Sequence, residues 1–143
     1  MQITVNGRDI ALNFGIRFVR ELDAKYHFIM KDGKRIGTGL EETVPMLLTG
    51  NVLVLEDVIR AAAWKEEKKP SNDELDDFID SVEDIDALFK SVLDELKKQN
   101  ATRKRTLVLV AELEEQQKRE EERKKVLKTL RQTEKTLKSN TKN

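Results

Sequence analysis

The sequence has one histidine, His27, and no cysteine. A histidine can act as a general base near neutral pH. It has here no second histidine and no thiol with which to form a nucleophilic pair or a zinc site. Apolar residues at helical spacing before it place His27 at the end of a predicted helix. We therefore expect a surface or half-buried histidine without a catalytic role.

Two other motifs resemble ligand-binding sites but lack residues that such sites require. Gly37–Gly39 reads "GTG", which lacks the third glycine and the strand–helix setting of a dinucleotide site. The acidic run "NDELDDFIDSVEDID" lacks the sixth-position glycine and twelfth-position glutamate of a calcium-binding EF-hand loop. Its acids alternate with apolar residues at helical spacing, which is typical of the solvated face of a helix. No cofactor or metal is predicted, and we expect that the protein is not an enzyme.

A basic cluster at Thr102–Arg105, "TRKR", raises the alternative of nucleic-acid binding. Such a surface normally carries uncompensated positive charge, and aromatic residues where single strands stack. In Glu112–Glu134 acids and bases interleave, and no aromatic residue follows Phe89. These features disfavour nucleic acid as a partner.

Charged residues make up 38% of the 143 residues, as do hydrophobic ones, so an exposed or extended segment is expected. Residues 1–100 hold 14 basic and 20 acidic residues, a net charge of −6, whereas residues 101–143 hold 13 and 7, a net charge of +6. Asp73–Glu95 alone has ten acids and one lysine. This separation suggests that neighbouring copies attract one another.

The N-terminal residues lack the pattern of a signal peptide, and no window of about 18 apolar residues could cross a membrane. We therefore expect the protein to stay where it is made and to have no membrane partner.

Turn and helix signals indicate the elements that arrange these residues. Asn6-Gly7 between β-prone runs predicts a hairpin, and Asp32-Gly33 predicts a second, looser one. Pro45 predicts a short helix that begins near Thr43 or bends there. Ser71 and Glu74 have the spacing of a capping box.

Residues 85–96 carry the clearest amphipathic pattern in the chain. The expected class is α+β, with small N-terminal β-hairpins packed on a helical bundle and a long charged C-terminal helix after them. We expect a domain over residues 1–100 and a helical extension over 101–143 whose end frays. The residues chosen as core candidates are Phe14, Phe18, Leu22, Leu55, Val58, Ile59, Phe78, Leu88, Phe89 and Val92.

The predicted C-terminal helix has no apolar side chain from Glu114 to Lys125, and four glutamates there precede a base by four residues. Such pairs stabilise an isolated helix by about 0.2–0.5 kcal/mol each. The stretch is therefore interpreted as a solvated spacer between two apolar ends. Candidate partner-binding residues are the leucines of these ends and the acids of the helix after Ser71: Leu107, Leu109, Leu113, Leu127, Leu130, Leu137, Asp76, Asp77 and Asp80.

Three segments resemble, in order and spacing, the tail assembly chaperones of long-tailed phages and prophages of Gram-positive bacteria. They are "ITVNGRDIALNFGIRFVRELDAKY", "GTGLEETVPMLLTGNVLVLEDVIRAAAW" and "KPSNDELDDFID", within residues 1–98. The resemblance does not extend to residues 101–143.

The resemblance implies a non-catalytic protein of the host cytoplasm that coats the tape measure protein, helps to recruit tail tube subunits and is absent from the finished particle. It also implies head-to-tail self-association. Two alternatives remain: a scaffolding tail component retained in the particle, and a nucleic-acid-binding regulator that uses Thr102–Arg105.

Overall fold

The computed structural model describes residues 1–141, which form two β-hairpins and six α-helices. In chain order the elements are β1 (Gln2–Val5), β2 (Arg8–Ala11), α1 (Ile16–Lys25), β3 (His27–Ile29), β4 (Arg35–Gly37), α2 (Gly39–Leu48), α3 (Val52–Ala62), α4 (Asn72–Ser81), α5 (Ile85–Lys98) and α6 (Arg103–Thr141). This arrangement confirms the predicted α+β class and its long C-terminal helix.

Two compact units divide the chain, one over Met1–Val110 and the other from Ala111 onward. The predicted boundary after residue 100 lies in the connection between α5 and α6. The predicted fraying concerns the end of the C-terminal extension, where residues 142 and 143 lie outside the described residues.

Both predicted hairpins are present as separate antiparallel pairs. Asn6 and Gly7 have φ values of 52° and 73°, so both turn residues lie in the left-handed region that a type I′ turn requires. Val5 pairs with Arg8, which closes the turn at two residues. In the second hairpin Gly33 has a φ of 87°, and Phe28 pairs with Ile36.

Helix α2 begins at Gly39 and contains Pro45 in its interior, so the predicted alternative of a start near Thr43 is wrong. A proline there leaves the carbonyl of Glu41 without its usual N–H donor four residues later. Two contacts offset this loss. The Asp23 carboxylate accepts the N–H of Gly39 at 2.8 Å, and the apolar side of α2 is buried through Leu40, Val44 and Leu47.

The predicted capping box of α4 is confirmed. Ser71 Oγ accepts the N–H of Glu74, and the Glu74 carboxylate accepts the N–H of Ser71. The backbone hydrogen bond from Ser71 is the main reason that the pKa of Glu74 lies below its usual value. Helix α5 begins in a similar way, with Asp84 accepting from Ala87.

One hydrophobic core joins the first hairpin to α1–α5 and to the start of α6. The rings of Phe14 and Phe18 meet edge to face, with centroids 5.0 Å apart. Nine of the ten core candidates are buried, and the tenth, Phe78, packs against the core while only partly buried. The core predicted from helical spacing is therefore largely correct for the helices.

Candidate protein-binding surfaces

The second hairpin exposes apolar side chains on a very short sheet. Phe28, Ile29, Met30 and Ile36 are 53%, 68%, 44% and 38% exposed, and we call them the hairpin surface. Each strand has three residues and pairs with one neighbour, so no third strand pairs with either outer edge in the described residues. Exposed apolar groups beside open strand edges are typical of a site for another chain.

Contacts from the C-terminal end of α1 hold this hairpin in place. The Arg35 guanidinium donates to the carbonyl oxygen of Ala24 at 3.0 Å. The Thr38 N–H donates to the carbonyl of Tyr26 at 2.8 Å. His27, half-buried at the start of β3, lies with Nδ1 3.1 Å from the carbonyl of Asp23. The hairpin therefore presents its apolar residues from a fixed base.

Gly37 and Gly39 pack directly against α1, which explains the "GTG" motif. A Cβ atom on Gly37 would overlap the carboxyl group of Asp23, and one on Gly39 would lie 2.7 Å from the same carboxylate and 2.9 Å from Leu22. Glycine at these positions permits the close approach of β4 and α2 to α1.

Gly37→Ala is expected to lower the free energy of unfolding by about 1–3 kcal/mol, since overpacking forces the backbone to shift. Urea denaturation followed by circular dichroism measures the loss. Asp23→Ala removes the overlapping carboxyl group, so the double variant should cost less than the two single variants added together. Strict additivity would contradict this explanation.

The acidic candidates lie together on α4. Asp76, Asp77 and Asp80 are exposed, whereas Leu75 of the same helix is fully buried. Among residues 1–141, no lysine or arginine lies within ion-pair distance of these three carboxylates. We call them the acidic surface. Their charge is free to attract a basic partner.

Glu56 of α3 lies next to Asp76 of the acidic surface, and the sequence did not indicate that these two residues are neighbours. Its side chain is buried, with 9% of the residue exposed, and it lies within hydrogen-bond range of the Asp76 carboxyl group. Burial is the main cause that raises the pKa of Glu56 to about 7, followed by the hydrogen bond and the charge of Asp76. Arg60 opposes this increase, and Asp57 adds to it.

The nearby cations are engaged with Asp57. Its carboxylate accepts from Lys25 Nζ at 2.6 Å, from the Tyr26 hydroxyl at 2.6 Å and from Arg60 at 3.3 Å. Burial, and then the hydrogen bond to Asp57, raise the pKa of Tyr26. Asp57 and the two cations help to line a cleft of about 410 Å³, whose lining residues are Lys25, Leu53, Glu56, Asp57, Arg60, Asn72 and Asp76.

The C-terminal part of α6 combines positive charge with exposed apolar residues. We call residues 123–138 the basic segment, which has seven lysines and arginines and one acid, Glu134. Its exposed apolar residues are Val126 at 58%, Leu127 at 44%, Leu130 at 59% and Leu137 at 62%. Val126 was missed in the sequence, although it is four residues from Leu130 and therefore on the same helical face.

The other candidate leucines differ in exposure. Leu107 is 48% exposed, Leu113 is half-buried, and Leu109 is buried in the core of the first unit. At the basic cluster, the Thr102 hydroxyl donates to the carbonyl of Leu96, and Arg105 pairs with Glu41 at 2.8 Å. Leu109 and Thr102 thus have packing partners within the first unit.

Between the two ends, all side chains from Glu114 to Lys125 are exposed, as expected for a solvated stretch. One of the four predicted ion pairs, Glu115–Arg119, is present at 3.5 Å. The other three are not within ion-pair distance in the described residues, which is consistent with the small energy of exposed pairs.

The described residues offer neither a metal site nor a membrane span. Within residues 1–141, no group of three or more histidines, aspartates and glutamates is arranged to hold a metal ion. None of the helices in this described part of the chain has the length and apolar character needed to cross a membrane.

One of three comparisons with known proteins supports the resemblance. No curated protein and no solved structure matches the chain. A family model described as "Phage tail assembly chaperone protein, TAC" matches residues 2–109, which include both hairpins, α1–α5 and the start of α6. The chain belongs to the phage tail assembly chaperone family.

Proposed function

We propose that this chaperone binds the tape measure protein during tail assembly in the host cytoplasm and helps to recruit tail tube subunits. It acts without catalysis and is absent from the mature particle. The observation that carries the proposal is an exposed apolar face on a basic helix, in a chain whose family assembles phage tails.

The apolar face of the basic segment is suited to a helical partner. Val126, Leu130 and Leu137 recur at spacings of four and seven residues, so they lie along one side of α6. Amphipathic helices bind apolar partners through such rows of side chains, while the charged face remains in water. We assign this face to the tape measure protein and the hairpin surface to tail tube subunits.

Self-association is the second part of the proposal. The acidic surface of one copy and the basic segment of another have opposite charges and lie on different elements. A contact between two different surfaces is heterologous and therefore extends head to tail. Because salt screens charges, sedimentation should show weaker association as salt rises from about 0.05 to about 0.5 M. Association that does not change with salt would contradict the charge contact.

Co-expression with the tape measure protein tests the first part. The double variant Leu130→Gln/Leu137→Gln removes two apolar side chains and keeps a good helix former at each position. The soluble amount of tape measure protein should fall by about tenfold or more, since each lost anchor in an interface costs about 1–2 kcal/mol.

Thr129→Gln/Thr136→Gln is the matched control, because these residues lie on the same helix next to the apolar positions and are also exposed. It should solubilise the partner as the wild type does. If the leucine variant also solubilises the partner fully, this face is not the binding site. Mass spectrometry of purified particles tests the remaining part, because a retained scaffold would be detected there.

A further inference from the structure

We propose that the cleft between α3 and α4 binds one lysine or arginine side chain from the basic segment of a second copy. Glu56 and Asp76 are the carboxylates that receive it. This inference rests on the proposed head-to-tail contact and identifies the site at its centre.

The geometry of Glu56 points to a missing cation. Glu56 is buried, with 9% of the residue exposed, and it lines the cleft with the carboxyl group of Asp76 as its hydrogen-bonding neighbour. Two ionised carboxylates both accept, so neither satisfies the other. No cation lies within ion-pair distance of either group in residues 1–141. A buried carboxylate without a donor is costly unless a proton or a cation reaches it.

The charges that line the cleft leave room for one more positive group. Three carboxylates, Glu56, Asp57 and Asp76, face two cations, Lys25 and Arg60. Both cations contact Asp57, and Arg60 also donates to the side chain of Asn72. With Glu56 ionised, the cleft therefore carries one uncompensated negative charge.

A second copy can provide both the charge and the apolar contact that the cleft accepts. Leu53 lines the cleft and is 70% exposed, so it can cover the methylene stem of a lysine or arginine. In the basic segment, Arg131 follows the exposed Leu127 by four residues, so the two side chains lie on the same face of α6. This spacing brings a long basic side chain and an apolar one to the same surface.

Protonation competes with this contact. Because the pKa of Glu56 is raised to about 7, its carboxyl group holds a proton through much of the range below neutral pH. The other charged groups that face it are Asp57 and Arg60 of α3, Asp76 of α4 and Lys25 of α1. An incoming cation replaces the proton, so association should tighten by about tenfold between pH 6 and pH 8.

Sedimentation velocity of the full chain at low salt, at pH 6 and pH 8, tests the proposal. Glu56→Gln and Asp76→Asn should each weaken self-association by about tenfold at pH 8, and Glu56→Gln should remove the pH dependence. Asp86→Asn makes the same change of charge on α5, outside the cleft, and should change the association constant by less than about threefold.

A zero-length carbodiimide cross-link supplies direct evidence. It joins a carboxylate to a lysine amine, and a mixture of unlabelled and ¹⁵N-labelled full chains distinguishes links between copies from links within one. We expect mixed-isotope links from Glu56 or Asp76 to lysines of the basic segment.

The outcomes separate this site from the broader contact. Wild-type association that is absent or independent of salt overturns the head-to-tail contact itself. Salt-dependent association that responds equally to Asp76→Asn and Asp86→Asn retains the contact but overturns the cleft as its site. Mixed-isotope links from Asp77 or Asp80 alone overturn it as well.

Discussion

Phe18→Ala is expected to lower the free energy of unfolding by about 3–5 kcal/mol, the usual range for a buried phenylalanine. Phe18 is fully buried on α1, and its ring packs edge to face against Phe14. Removing it takes away apolar contacts and leaves a cavity that neighbouring side chains can only partly fill. A small domain is stable by about 5–15 kcal/mol, so this single change removes much of the total.

Urea denaturation measures the loss, with circular dichroism for the helices and fluorescence of Trp64, the single tryptophan, for the packing of the core. Ile16→Ala is the matched control on the same helix, because Ile16 is 64% exposed. It should change the free energy of unfolding by less than about 0.5 kcal/mol. A cost below about 1 kcal/mol for Phe18→Ala would mean that α1 is not part of the core.

The features that the sequence predicted correctly are those that depend on nearby residues. The turn at Asn6-Gly7 follows from the backbone conformation that both residues tolerate. The capping box needs only Ser71 and Glu74, which are three residues apart. The buried face of α5 follows from helical periodicity alone. In each case the physical cause lies within a few residues of the structure that it produces.

The start of α2 shows why other features could not be predicted. Pro45 argues against a helix interior when only its neighbours in sequence are considered. The helix starts at Gly39 because a carboxylate from α1, Asp23, accepts its first N–H, and the burial of Leu40 and Val44 adds to this. Both contacts bridge segments that are distant along the chain. Local propensity carries no information about them.

The candidate site also has some features that the local sequence predicts and others that depend on contacts between distant segments. The charge blocks and the exposed leucines near the C-terminus could be read directly from residue types. The carboxyl pair could not, because Glu56 lies among buried residues of α3 and Asp76 belongs to α4. Only the packing of these two helices brings the carboxyl groups together. Likewise, the second hairpin was predicted, but the exposure of Phe28 and Ile29 was not. That exposure depends on which distant elements pack against the hairpin.

The largest pH effect on stability is expected from this carboxyl pair. At pH 8, Glu56→Gln should raise the free energy of unfolding by about 1–3 kcal/mol. The difference between an ordinary glutamate pKa of 4.5 and about 7 sets an upper limit of about 3 kcal/mol. A neutral amide also donates to Asp76, so the variant avoids placing two negative charges together.

The direction follows from proton binding in the two states. The folded protein holds the Glu56 proton more tightly than the unfolded chain does, because the pKa is higher in the folded state. The stability from this proton is therefore complete below about pH 4.5 and is lost as the pH rises through about 7. The advantage of Glu56→Gln over the wild type should be near zero at pH 4.5 and largest above pH 7.

Glu74→Gln provides a control of opposite sign. The pKa of Glu74 lies below its usual value, mainly because the carboxylate accepts the N–H of Ser71. Its contribution is present at neutral pH and is lost on acidification, so this variant should be less stable than the wild type at pH 7 and approach it in acid. Urea denaturation of the three proteins at intervals between about pH 3 and about pH 8.5 measures both differences, because the contribution of Glu74 is lost only below its usual pKa. If Glu56→Gln differs from the wild type by the same amount at every pH, the buried carboxyl pair does not share a proton. A proton would then not compete with a cation for the cleft between α3 and α4, and the proposed pH dependence of self-association would have no basis.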